Sequence, residues 1–121
     1  RQQLRVILQL MMKMMDSLIK KLSIDIETYS SADFNKTGVY RYAEAQDFKI
    51  LLFGYSVNDG DVKVVDLSQG ESIPPEIIKA IKSDDVLKYA FNSMFERVCL
   101  SRYLGFPTGK YLICRFAQQI V

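Results

Sequence analysis

Between Leu22 and Thr28 the side chains alternate strictly, with Leu22, Ile24 and Ile26 apolar and Ser23, Asp25 and Glu27 polar. A period of two belongs to a strand buried on one face, so this segment must lie in a sheet with both acids turned away from the core. A rise of roughly 3.3 Å per residue sets Asp25 and Glu27 about 6.6 Å apart at Cα, near enough for both carboxylates to reach one cation or a cation pair. Without a cation the charges repel and one pKa rises. Mg²⁺ or Mn²⁺ relieves that repulsion and prefers hard oxygen ligands. The same triplet also reads as a solvated acidic strand face, so it does not identify a site by itself.

Composition narrows the chemistry. A chain of 121 residues predicts one domain with its own core, and 49% hydrophobic with 25% charged residues is the balance of a folded protein. A net charge of +2 is too small for gripping a long duplex through many phosphates, so any nucleic-acid contact is expected to be local and helped by metal. The chain has no histidine, which removes Ser-His-Asp and Cys-His nucleophilic catalysis and the usual mixed zinc sites. Carboxylate chemistry is what remains. Cys99 and Cys114 lack paired zinc spacing and are expected to be reduced, buried thiols of a cytoplasmic protein.

Apolar residues at Leu4, Ile7, Leu8, Met11, Met14, Met15, Leu18, Ile19 and Leu22 form a helical stripe, with Arg1, Arg5, Lys13, Lys20 and Lys21 elsewhere. Gln9, Lys13 and Asp16 interrupt it too often for a membrane span, and no signal-peptide cleavage pattern follows. Residues 1–14 are therefore read as an amphipathic extension, with Met14 or Met15 as the expected natural start. Residues 29–35 read as a polar stretch, Lys36-Thr37-Gly38 as a turn and residues 39–45 as a short helix. Residues 49–57 form an apolar run, Asn58-Asp59-Gly60-Asp61 a hairpin turn and residues 62–67 the returning strand. Pro74-Pro75 opens a helix over 76–83, residues 86–91 make a fourth strand, and residues 93–104 a last helix stopped by Gly105-Phe106-Pro107. The expected fold class is α/β: a mixed sheet built from a three-strand antiparallel meander, a helix, a parallel strand and a helix.

The end of the fourth strand carries a third carboxylate. Asn92 and Glu96 are four residues apart and share one side of the helix start. On that helix Phe95, Cys99 and Leu104 are expected to face inward and Ser93, Arg97 and Ser101 to form an exposed row. Glu96 alone is equally well explained as a favourable acid near a helix N-terminus.

Together, Asp25-x-Glu27 and Asn92-x-x-Phe95-Glu96 resemble the first two motifs of the DEDD-type 3′-to-5′ exonucleases. From Leu22 to about residue 112, phrases such as Asp25-Ile-Glu-Thr-Tyr-Ser30, Gly38-Val-Tyr-Arg-Tyr-Ala43, Ile50-Leu-Leu-Phe-Gly-Tyr55 and Phe95-Glu-Arg-Val-Cys-Leu100 are similar to the proofreading domain of phage-type family A DNA polymerases. The resemblance implies an RNase H-like fold over residues 15–112, and two-metal phosphodiester hydrolysis at a single-stranded DNA 3′ end with Mg²⁺ or Mn²⁺. In that scheme Asp25 would bridge both ions, Glu27 would ligate one and orient water, and Glu96 would act directly or through water. Asn92 would support the site, and Thr28 is either a contact to the terminal nucleotide or a hydroxyl ending the strand. The rest of a DNA polymerase is the implied partner, and no membrane is.

Two departures mark the chain. The second motif usually ends in Asp, and Glu96 is longer by about 1.5 Å. The third motif, Tyr or His followed four residues later by Asp, has no counterpart: no Asp follows Asp85, and Tyr111-Leu112-Ile113-Cys114-Arg115 ends in Arg. Residues 113–121 read as a divergent tail. The alternatives are an incomplete RNase H-like module that binds metal or a DNA end, and an unrelated α/β interaction domain.

Overall fold

The computed structural model describes residues 2–106 and 113–118. Helix α1 (Gln2–Ser17) precedes β1 (Lys21–Tyr29), followed by α2 (Phe34–Glu44), β2 (Lys49–Val57), β3 (Val62–Asp66), a 3-10 turn (Leu67–Gln69), α3 (Pro75–Lys82), β4 (Leu87–Ala90), α4 (Ser93–Tyr103) and β5 (Phe116–Gln118). The sheet runs β3-β2-β1-β4-β5. β1 sits in its centre, antiparallel to β2 and parallel to β4.

The alternation of β1 is realised as expected: Leu22, Ile24 and Ile26 are buried, and Asp25 and Glu27 are exposed. Phe53 and Tyr55 of β2, Ile77 and Ile81 of α3, and Val98 and Leu100 of α4 join the three apolar residues in one hydrophobic cluster. Leu22, Ile24 and Ile26 therefore turn to one face of the sheet, and Asp25 and Glu27 to the other. Among the described residues of α1, Leu4, Ile7, Leu8 and Met11 are about half exposed, and no helix is long and apolar enough to cross a membrane.

The hairpin turn is fixed by its residue types. Asn58 and Asp59 both have positive φ, and the Gly60 N–H donates to the Val57 carbonyl at 2.9 Å, the geometry that Asn, Asp and Gly tolerate and that matches strand twist. Asn58 also ties the turn to the entry of β1. Its Oδ1 accepts from the Lys20 and Lys21 N–H groups at 2.9 and 3.0 Å, and its Nδ2 donates to the Leu18 carbonyl at 3.1 Å. Asn58→Ala removes these bonds and puts a Cβ without polar compensation at positive φ. It should cost about 2 kcal/mol, read as a lower urea midpoint at unchanged slope.

Four expectations are corrected. Helix α2 begins earlier, at Phe34, because the Asp33 carboxylate caps the Asn35 N–H at 3.0 Å; Gly38 (φ 81°) is non-helical, so the expected turn stands there and a second helical segment follows it. The tail contributes a fifth strand, β5, aligned parallel to β4 and anchored by the Lys88 N–H to the Arg115 carbonyl at 2.8 Å. Ser101 is buried, not exposed, since its hydroxyl donates to the Arg97 carbonyl at 2.7 Å, while Ser93 and Arg97 are half-buried. Of the two free cysteines Cys99 is buried and Cys114 exposed. The expected stop at Pro107 and the segment Tyr111-Leu112 lie outside the described residues.

Candidate functional site

The outward face of β1 presents Asp25 and Glu27 to solvent. Asp25 is paired across the strands with Gly54, the one position of β2 with no side chain to place beside it. A Cβ at residue 54 would stand 3.4 Å from the Asp25 carbonyl oxygen and 4.0 Å from the Asp25 Cβ, ordinary contact distances, so glycine leaves the space beside Asp25 unfilled without being sterically required there.

Glu96 comes within the field of Asp25 from the first turn of α4. Asn92 ends the β4 crossover and its carbonyl accepts the Glu96 N–H at 3.1 Å, which places Glu96 in the first turn of α4. It is only 5% exposed, and its Oε2 is buried with no hydrogen-bond partner among the described residues. Burial raises its pKa from 4.5 to about 7, and the negative charge of Asp25 pushes in the same direction. Cys99 lies nearly one turn further along α4. Burial first, and the charge of Glu96 second, push its thiol up to about 12, so it is not a nucleophile at neutral pH.

The structure thus brings Asp25 and Glu96 within each other's field, while Glu27 stays on the exposed face two residues along. Among the described residues no three His, Cys, Asp or Glu side chains gather closely enough to enclose a metal ion, so Asp25, Glu27 and Glu96 do not close around one point. The donor chemistry nevertheless fits a hard divalent cation. The set is all carboxylate, two of its acids share a face, and the third buries an oxygen that nothing satisfies.

The two expected substrate-contacting residues stand beside an aromatic group that the sequence reading did not single out. Thr28 Oγ1 is 2.8 Å from the Tyr42 hydroxyl, so its hydroxyl already has a partner. Asn92 makes no side-chain cap bond and lines a shallow depression of about 290 Å³ with Phe34, Tyr42 and Phe95. The rings of Phe34 and Phe95 meet edge to face at 5.6 Å and those of Phe34 and Tyr42 at 5.9 Å. Only the Asp33 capping signal, by placing Phe34 and Tyr42 on one helix, could have pointed to this group.

No protein-family model matches the sequence. Over 87 residues, 72% of the chain, the sequence is 52% identical to the DNA polymerase of Bacillus phage SP02, and the match spans 13% of that polymerase's length. Among solved structures the fold is similar to Brucella melitensis NrnC, with TM-score 0.55 and 16% identity over 85% of this chain and 42% of that one. It is also similar to the same protein with bound Mg²⁺, with TM-score 0.54 and 17% identity over 83% of this chain and 41% of that one. The exonuclease domain of EXD2, soaked in Mn and GMP, matches with TM-score 0.50 and 13% identity over 91% of this chain and 47% of that domain's chain.

Proposed function

We propose, for a chain that belongs to the DEDD-type exonuclease portion of the phage-type DNA polymerases and carries its RNase H-like fold, that it supplies the metal-binding half of a proofreading site acting on a DNA 3′ end. The observation that carries this is the buried, unpartnered Oε2 of Glu96 held within the field of Asp25. A structural acid at a helix start would be solvated or capped, whereas an acid kept dry and unsatisfied beside a second carboxylate is set up to receive a cation.

Asp25, Glu27 and Glu96 would hold the ions, Mg²⁺ or Mn²⁺. When bound, such ions lower the pKa of a water and offset charge on the leaving oxygen. The protein's own part is to fix the carboxylates on a rigid central strand, keep the space over Gly54 clear, and hold Glu96 protonated until a cation displaces the proton. Asn92 and Thr28, beside the aromatic depression, would receive the terminal nucleotide.

No Asp follows Asp85 in this chain, so the fourth carboxylate has to come from another segment. The test has two parts. Titration calorimetry with MnCl₂ should show binding to the chain, and degradation of a 5′-labelled single strand should appear when the protein is extended through the downstream segment of the phage polymerase. Absence of Mn²⁺ binding, or an extended protein that stays inert, would overturn the assignment.

A further inference from the structure

Past the acids the β1–β2 register shifts between Glu27 and Thr28: Glu27 pairs with Leu52, and Tyr29, two residues further along β1, pairs with Lys49. The Lys49 Nζ lies 5.6 Å from the centre of the Tyr29 ring. From there opens a groove of about 490 Å³ between the start of β2, the 3-10 turn and the last turn of α4, with Phe48 and Leu67 in its walls and Lys49, Glu71, Arg102 and Tyr103 also lining it. That volume is within the range of small-ligand sites. Its charge is unbalanced towards cation. Arg102 makes no ion pair among the described residues, and the one acid of the lining, Glu71, already accepts the Asp66 N–H at 2.8 Å. Asp47 lies near Lys49 but is engaged by the Ser31 N–H at 3.1 Å.

We infer that this groove is a second nucleotide site, separate from the carboxylates, in which Lys49 and Arg102 take a phosphate and Tyr103, with Phe48, takes the attached base. Cations beside exposed aromatic rings are the combination that binds single-stranded nucleic acid without reading its sequence. The inference rests on the function proposed above, because the groove begins at Lys49, the cross-strand partner of Tyr29, two residues along β1 from Glu27. It extends that function by giving the strand an anchor remote from the bond being cut. The same chemistry would also hold a free mononucleotide.

Binding measured in EDTA separates this site from the metal centre. Fluorescence anisotropy with a 5′-labelled oligothymidylate should give a Kd that rises about tenfold in Arg102→Gln and in Tyr103→Leu, with the slope of log K against log salt falling by about one in Arg102→Gln. Val62→Thr, at an exposed position of β3 outside the groove, should leave this Kd unchanged. Competition by thymidine 5′-monophosphate would identify the free nucleotide as a ligand, and its failure to compete would assign the groove to the strand. Chemical-shift changes at Phe48, Lys49 and Tyr103 on adding either probe would support the site. Wild-type affinity in both groove variants, or competition by inorganic phosphate equal to that of the nucleotide, would overturn it. Loss of Mn²⁺-dependent cleavage with the groove intact would instead count against the metal centre.

Discussion

Asp25→Asn should abolish measurable Mn²⁺ binding and, in the protein extended through its downstream segment, lower 3′-end hydrolysis by more than about a hundredfold. Even the partners that merely orient a metal ligand cost on the order of 10-fold to 100-fold when removed, so a direct ligand should exceed that. Asparagine keeps the shape of the side chain and the β1 register while deleting the charge, which separates loss of the ligand from loss of the fold. A second effect follows at a distance. Glu96 feels the charge of Asp25, so in Asp25→Asn it should ionise more easily and its pKa should move down from about 7. The move will be partial, because burial is the larger cause. Carboxyl-carbon NMR titration of Glu96 measures it directly. An unmoved Glu96 pKa together with undiminished Mn²⁺ affinity would separate the two acids and dissolve the site.

The second large effect is on stability against pH. Glu96 has a folded pKa of about 7 against its usual 4.5. Between those values the native state holds a proton that the unfolded chain has released, so stability is highest below about pH 4.5 and falls as pH rises through 7. The difference is on the order of 3 kcal/mol for a side chain this deeply buried. Glu96→Gln stays neutral at every pH and should lack this decline, so it should exceed the wild type in stability at pH 8 and match it near pH 4.5. Urea unfolding of both proteins across this range isolates Glu96 from every other titrating group. Mn²⁺ affinity should run the opposite way and tighten with rising pH, since the cation competes with the proton. Parallel pH curves for the two proteins would mean that Glu96 is solvated and not reserved for a cation.

Much of this architecture is legible in the residues because local pattern and tertiary demand agree. β1 declares itself by alternation, β2 by its largely apolar stretch within Lys49–Val57, and the turn by Asn58-Asp59, whose positive φ values few other residues accept. What escaped was decided by single contacts. Asp33 capping Asn35 moves the start of α2 into a stretch that reads as a polar loop, and the φ of 81° at Gly38 breaks a helix that the chain then resumes. β5 is three residues long, too short to show a period, and is held by backbone bonding to its neighbour. Among the candidate acids, the shared outward face of Asp25 and Glu27 could be anticipated from alternation, and the place of Glu96 in the first turn of α4 from its spacing to Asn92. The burial of Glu96 could not, since an acid in the first turn of a helix ordinarily faces water. Nor could the ring cluster of Phe34, Tyr42 and Phe95, which depends on how α2 lies against α4.

The central place of β1 has a consequence for how the protein assembles. Its bonds to β2 close over the segment that carries α2, whereas its parallel pairing with β4 joins Leu22 to Lys88 across half the chain. Loop-closure entropy makes that pairing late, so Asp25 and Glu96 meet only after the meander exists, and their repulsion enters as one of the last costs of folding. A cation that removes it acts on contacts formed after the folding barrier. Mg²⁺ or Mn²⁺ should therefore lengthen the lifetime of the native state while leaving the rate of reaching it nearly untouched.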